Sequence, residues 1–184
     1  MKILHSLTLL GFISMISLIF ASPVSADTCS SIYGDGDYEA ALPLCQKEKD
    51  YFRLGYIYSK KDDCLNMEKY YRLSKSSDAK GNLGVHLIYG QKGCEKNAVE
   101  GIKLLKEAIS KGSTVFGDVL GDYYKRKKNN MLAKTYYKKS IKVASYNIDW
   151  HKDKARESHT ELVKLFNNKE KKEFYLKNLD LPTN

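Results

Sequence analysis

Apolar residues return along this chain at helical intervals, and three of these returns open on Leu-Gly: Leu54-Gly55, Leu83-Gly84 and Leu120-Gly121. Each leucine has a partner four positions on, at Tyr58, Leu87 and Tyr124, which places both on one helix face. A second stripe follows each time at four-and-three spacing: Met67, Tyr71, Ser74; Gly101, Leu105, Ala108; Ala133, Tyr137, Ser140. From the central glycine to the bulky residue of the second stripe the count is 16, 21 and 16. The five extra residues of the middle unit fall in the turn at residues 90–97, around Gly93 and Cys94. Glycine weakens a helix, so its recurrence needs a cause. Close approach of a second helix, with no side chain to hold the backbones apart, supplies one.

This period predicts an all-α fold, an α-solenoid of stacked antiparallel helical hairpins, with repeats at about 31–50 (partial), 51–80, 81–112 and 114–145. The punctuation agrees. Gly34-Asp35-Gly36-Asp37 reads as a turn whose Asp37 caps the next helix. Pro43 falls near the first turns of that helix, where proline is better tolerated. Asp62-Asp63 marks another turn, and Gly112 a helix C-terminus. Residues 146–184 break the pattern. An amphipathic helix at 148–166, with Leu162, Leu165 and Phe166 apolar, and a short helix at 169–179 read as a C-terminal cap.

The first 26 residues read as a cleaved signal peptide. Lys2 precedes an uncharged apolar run at residues 7–20, and Val24-Ser25-Ala26 offers small residues at a cleavage site. That run is short of the roughly 20 residues that span a bilayer. Asp27-Thr28 before Cys29 does not resemble a lipid-attachment signal. The chain at 27–184 is therefore expected as one periplasmic or secreted domain without a stable membrane anchor. Its four cysteines, Cys29, Cys45, Cys64 and Cys94, are even in number, which in an exported chain reads as two disulfides. Three connectivities are open. A stack in which only neighbours touch favours Cys29–Cys45 and Cys64–Cys94. Without a C-x-x-C pair, a metal site is the weaker alternative.

Charge divides the chain unevenly. Residues 27–100 carry 11 basic and 12 acidic side chains, whereas residues 101–184 carry 19 and 10. The basic half would draw an acidic protein partner or an anionic surface. Four arginines among so many lysines make nucleic acid a poor partner. Catalytic signatures do not assemble, so the chain reads as a non-enzyme with no cofactor and no metal. His86 sits on a core-facing helix. His151 and His159 are eight apart beside Asp153, Glu157 and Glu161, a spacing that surface chance explains better than ligation. Asp62-Asp63 lacks the pattern of a calcium loop, and no phosphate-binding loop or nucleophile elbow is present.

Three stretches carry a resemblance: Gly36-Asp37-Tyr38-Glu39-Ala40-Ala41-Leu42-Pro43-Leu44, Leu54-Gly55-Tyr56-Ile57-Tyr58, and Ala79-Lys80-Gly81-Asn82-Leu83-Gly84-Val85-His86-Leu87-Ile88-Tyr89-Gly90. They resemble Sel-like repeats, relatives of tetratricopeptide repeats, over about residues 31–145. The third unit departs from that pattern, lacking the glycine-rich turn, and Leu87 stands where the family usually has an aromatic. The resemblance implies protein–protein contact through a concave groove lined by the first helix of each hairpin. The groove positions it implies are Tyr56, Ser59 and Lys60; Val85, Ile88 and Tyr89; Asp122, Lys125 and Arg126. Small exported members with paired cysteines resemble immunity proteins that sterically block a secreted toxin, such as a type VI secretion effector. The alternative the resemblance leaves is an envelope adaptor or host-interaction protein that makes contacts without inhibition.

Overall fold

The computed structural model describes residues 27–141, 149–167 and 169–170. The signal-peptide reading of residues 1–26 and most of the second cap helix lie outside the described residues. What is described is all-helical, with no strand. The helices are α1 (Cys29–Gly34), α2 (Tyr38–Glu48), α3 (Tyr51–Lys60), α4 (Cys64–Leu73), α5 (Ser77–Tyr89), α6 (Ala98–Ser110), α7 (Gly117–Arg126), α8 (Asn130–Ile141) and α9 (Asp149–Leu165).

Short polar side chains set most helix starts. Asp37, Asp50, Asp63 and Asn97 each accept the backbone N–H three residues on, at 3.0 to 3.1 Å. Each satisfies one of the donors a helix leaves unpaired in its first turn. Lys49 and Gly90 close α2 and α5 in the left-handed conformation, and Gly112 adopts the same positive φ after α6. Pro43 does not end α2, which continues to Glu48.

Packing runs between chain neighbours, most densely within α3–α4, α5–α6, α7–α8 and α8–α9. The Leu-Gly glycines explain the first three of these pairs. A Cβ on Gly55 would lie 2.4 Å from the Tyr71 ring, and one on Gly121 would lie 2.4 Å from the Tyr137 ring. In the middle pair the contact is backbone on backbone. A Cβ on Gly84 would meet the Gly101 carbonyl oxygen at 2.9 Å, and a Cβ on Gly101 the Gly84 carbonyl oxygen at 2.7 Å. Leu54, Leu83, Leu105, Leu120, Tyr71 and Tyr137 are buried around these crossings.

The third unit opens differently from expectation. A 3-10 turn at Thr114–Phe116 precedes α7, and Phe116 packs over Gly81 of α5, leaving no room for a Cβ there. At the far end, α9 lays Leu162 and Phe166 against Ala133, Tyr137 and Ile141 of α8. Cys29 pairs with Cys45 and Cys64 with Cys94, at Cα separations of 4.7 and 5.0 Å. No described helix is long and apolar enough to cross a membrane.

Candidate functional site

The nine expected groove positions sort into three groups. Two are buried, which corrects their assignment as contact residues. Ser59 is 4 % exposed, because it faces Tyr71 of α4, and its hydroxyl is satisfied within α3 by donating to the Tyr56 carbonyl oxygen at 2.6 Å. Ile88 is 1 % exposed and wedges against Gly101 at the α5–α6 crossing. Its expected position was four residues after Gly84, but at the close approach of Gly84 and Gly101 its side chain packs inward against α6.

Tyr56 and Lys60 form the second group, on α3. The Lys60 ammonium sits 5.0 Å from the Tyr56 ring centroid. Tyr56 also closes a triangle with Tyr33 of α1 and Tyr38 of α2, at centroid distances of 5.5 and 5.8 Å. The Arg53 guanidinium covers Tyr33 at 5.4 Å. Burial first, then the neighbouring phenols, pushes the Tyr33 hydroxyl pKa up, so it stays neutral. The hydrogen bond with Tyr56 raises both Tyr38 and Lys60, which keeps the ammonium charged. Edge-on aromatic packing of this kind presents a rigid surface with polar rims, and cations over ring faces add to it.

The third group joins α5 to α7. Val85 and Tyr89 are half-buried against the core cluster around Leu105 and Phe116. The Arg126 guanidinium lies 5.3 Å from the Tyr89 ring centroid. Asp122 accepts the Tyr137 hydroxyl at 2.6 Å and so is half-committed to α8. Lys125 is paired with Glu161 of α9. Asp122, Lys125 and Arg126, with Asp118, Glu157 and Glu161, border an open cleft of about 640 Å³ between α7 and α9, which Val85 and Tyr89 do not line. The Lys125 and Lys164 ammoniums hold the Glu161 carboxyl below the usual carboxylate range.

Sequence reading missed α9 as a wall of this cleft. Glu157 and Glu161 fall on the face next to Leu162 and Ser158, and only the docking of that apolar edge on α8 brings them over α7. The triangle partners Tyr33 and Tyr38 were missed too, although the Cys29–Cys45 link was a signal that α1 folds back on α2. His86 is half-buried, its Nδ1 without a hydrogen-bond partner, and burial lowers its pKa. The His151 side chain is outside the described residues. Among the described residues no three His, Cys, Asp or Glu side chains are grouped to hold a metal ion.

No protein-family model matches the chain, and no curated protein and no solved structure is significantly similar to it.

Proposed function

We propose that this protein is an exported α-solenoid of the Sel-like, tetratricopeptide-related kind whose concave face binds another protein and blocks it sterically. The target it would block is a secreted toxin, such as a type VI secretion effector. The observation that carries the reading is the pair of aromatic–cation contacts on first helices, Lys60 over Tyr56 within α3 and Arg126 of α7 over Tyr89 of α5, with Lys60 and Arg126 each five residues after the central glycine. Tyrosine and arginine held rigidly at a surface are the residues that dominate interface energies. The two disulfides suit an oxidising compartment, and thus export. The basic excess of residues 101–184 suits an acidic target, whose capture it would speed.

The test is co-expression with the product of a neighbouring toxin-like gene directed to the periplasm. Growth is expected to be rescued by the protein. Rescue should fail, or need at least tenfold more protein, in the Tyr89→Ala/Arg126→Ala variant, a loss of about 1.4 kcal/mol or more. Unimpaired killing in the presence of the folded wild-type protein would remove the inhibitory reading.

A further inference from the structure

The two disulfides differ in what a dissolved thiol can reach. Cys29 and Cys45 are both 0 % exposed, closed in by Ala41, Leu54 and Ile57. Glu48 adds to that cover by accepting the Cys29 backbone N–H at 3.0 Å. Cys94 is 7 % exposed. Cys64, the first residue of α4, is only partly buried, at the rim of the cluster around Met67 and Leu87. It is the most accessible of the four cysteines.

The two links also hold different things. Cys64–Cys94 fastens the long turn at residues 90–97 to the start of α4, across the seam between α3–α4 and α5–α6. On its own side the turn is tied by backbone bonds: the Asn97 N–H donates to the Leu87 carbonyl oxygen at 2.8 Å, and the Cys94 N–H to that of Gln91 at 3.1 Å. Apart from the packing of the two cysteines, the turn meets the α3–α4 connection through the Lys92–Asp62 pair and the fit of Gly93 against the Asp62 carbonyl oxygen. That ion pair is exposed on both sides, and such pairs hold weakly. Arg72 and Glu100 join α4 to α6 whether or not the disulfide is closed. Opening Cys64–Cys94 therefore releases the turn and leaves the two helix pairs together.

We propose that Cys64–Cys94 is a thiol–disulfide exchange site, opened by a dithiol reductant while Cys29–Cys45 stays closed. A thiolate of the reductant attacks Cys64 Sγ and forms a mixed disulfide. The bond to Cys94 breaks, and Cys94 leaves as a thiolate that takes up a proton. The second thiol of the reductant, after losing its proton, attacks the reductant's own sulfur in the mixed disulfide. Cys64 then leaves as a thiolate and is protonated in turn. Two electrons and two protons pass to the protein, and the reductant ends as a disulfide.

The place of Cys64 favours the second step. A thiolate at the first residue of a helix is stabilised by the unpaired N–H groups of that turn, and a thiol that leaves more readily is exchanged faster. The carboxylates on either hand are already engaged, Asp62 by Lys92 and Asp63 by the Asn66 backbone and side chain. The order of opening is kinetic. Access decides which bond a thiolate reaches in the folded chain, whereas loop length acts on the unfolded one. The exchange needs no partner in the groove on α3, α5 and α7, so it stands whether or not that groove binds a protein.

The experiment is timed reduction of the folded, fully oxidised protein with dithiothreitol, quenched with iodoacetamide and mapped by mass spectrometry. Alkylation of Cys64 and Cys94 is expected to run about tenfold or more ahead of that of Cys29 and Cys45. Hydrogen exchange then reads what the opening releases. In Cys64→Ser/Cys94→Ser, with Cys29–Cys45 intact, amides of residues 90–97 should exchange about tenfold or more faster than in the oxidised wild type, and those of α2 and α7 should not change. The wild type, sampled in dithiothreitol while only Cys64–Cys94 is open, should show the same pattern. Equal rates at the two disulfides, or earlier opening of Cys29–Cys45, would overturn the proposal. So would unchanged exchange in the turn. Loss of protection in every helix once Cys64–Cys94 opens would overturn it too, because the bond would then be a staple of the whole fold.

Discussion

At the residue scale the governing contact is a helix glycine facing a ring. Gly55 and Gly121 have no room for a methyl group, because Tyr71 and Tyr137 are buried and cannot swing aside. Gly55→Ala and Gly121→Ala are each expected to cost about 1–3 kcal/mol through overpacking, despite the better helix propensity of alanine. Thermal unfolding followed by circular dichroism reads this as a drop of several degrees. Gly34→Ala, where a Cβ would meet nothing within 4 Å, is the control and should be close to neutral. A similar midpoint for all three variants would mean the rings yield, and the crossings would then have another cause. His86 supplies a pH signature at the same scale. Burial, with Lys92 adding repulsion, holds its imidazole pKa below the ordinary 6.5. The unfolded chain therefore takes up the proton more readily than the folded one. Stability from this source is complete above the unfolded pKa and is lost as pH falls from there through the folded value. Urea midpoints should thus decline as pH falls below the unfolded imidazole value of 6.5, and His86→Gln should flatten that decline. An equal decline in both proteins would show that His86 does not contribute.

At the scale of elements the two disulfides act on different seams. Cys29–Cys45 ties α1 to α2 within one pair. Cys64–Cys94 ties the start of α4 to the long turn before α6, across two pairs. That turn packs tightly: a Cβ on Gly93 would lie 2.4 Å from the Asp62 carbonyl oxygen, and Lys92 pairs with Asp62 at 3.1 Å. By chain entropy alone, closing 30 residues restrains the unfolded chain by about 3.6 kcal/mol, and closing 16 by about 3 kcal/mol. Cys64→Ser/Cys94→Ser is therefore expected to lower the denaturant midpoint more than Cys29→Ser/Cys45→Ser. The reverse order would show that native contacts of α1 outweigh loop closure.

For the whole molecule the uneven charge is the feature with a kinetic consequence. Residues 27–100 are close to neutral and residues 101–184 strongly basic. If an acidic target is captured as proposed, its association rate should fall steeply as salt rises from about 50 to about 500 mM. Its dissociation rate should change much less. Stopped-flow mixing separates the two, and a salt-independent association rate would rule out steering. The order of the helices along the chain keeps packing mostly local, between neighbouring elements.

Sequence alone signalled helices α2 to α9 and that neighbours along the chain pack together, but not α1 at Cys29–Gly34 or the 3-10 turn at Thr114–Phe116. Leu-Gly at residues 54, 83 and 120, the four-and-three stripes and the Asp and Asn caps are local signals, and each acts within a turn or two of where it is written. The cysteine pairing was legible for the same reason, because both links join segments that a local stack places together. Tertiary structure decided what faces solvent. Ile88 turned inward because two glycines let α5 and α6 approach backbone to backbone, and Ser59 because Tyr71 of α4 covers it. Tyr33 and Tyr38 joined Tyr56 only once α1 and α2 had closed on α3. The acids of α9 became a wall beside Lys125 only when Leu162 and Phe166 docked on α8. Burial depends on the separation and rotation of neighbouring helices, and one chain's periodicity fixes neither.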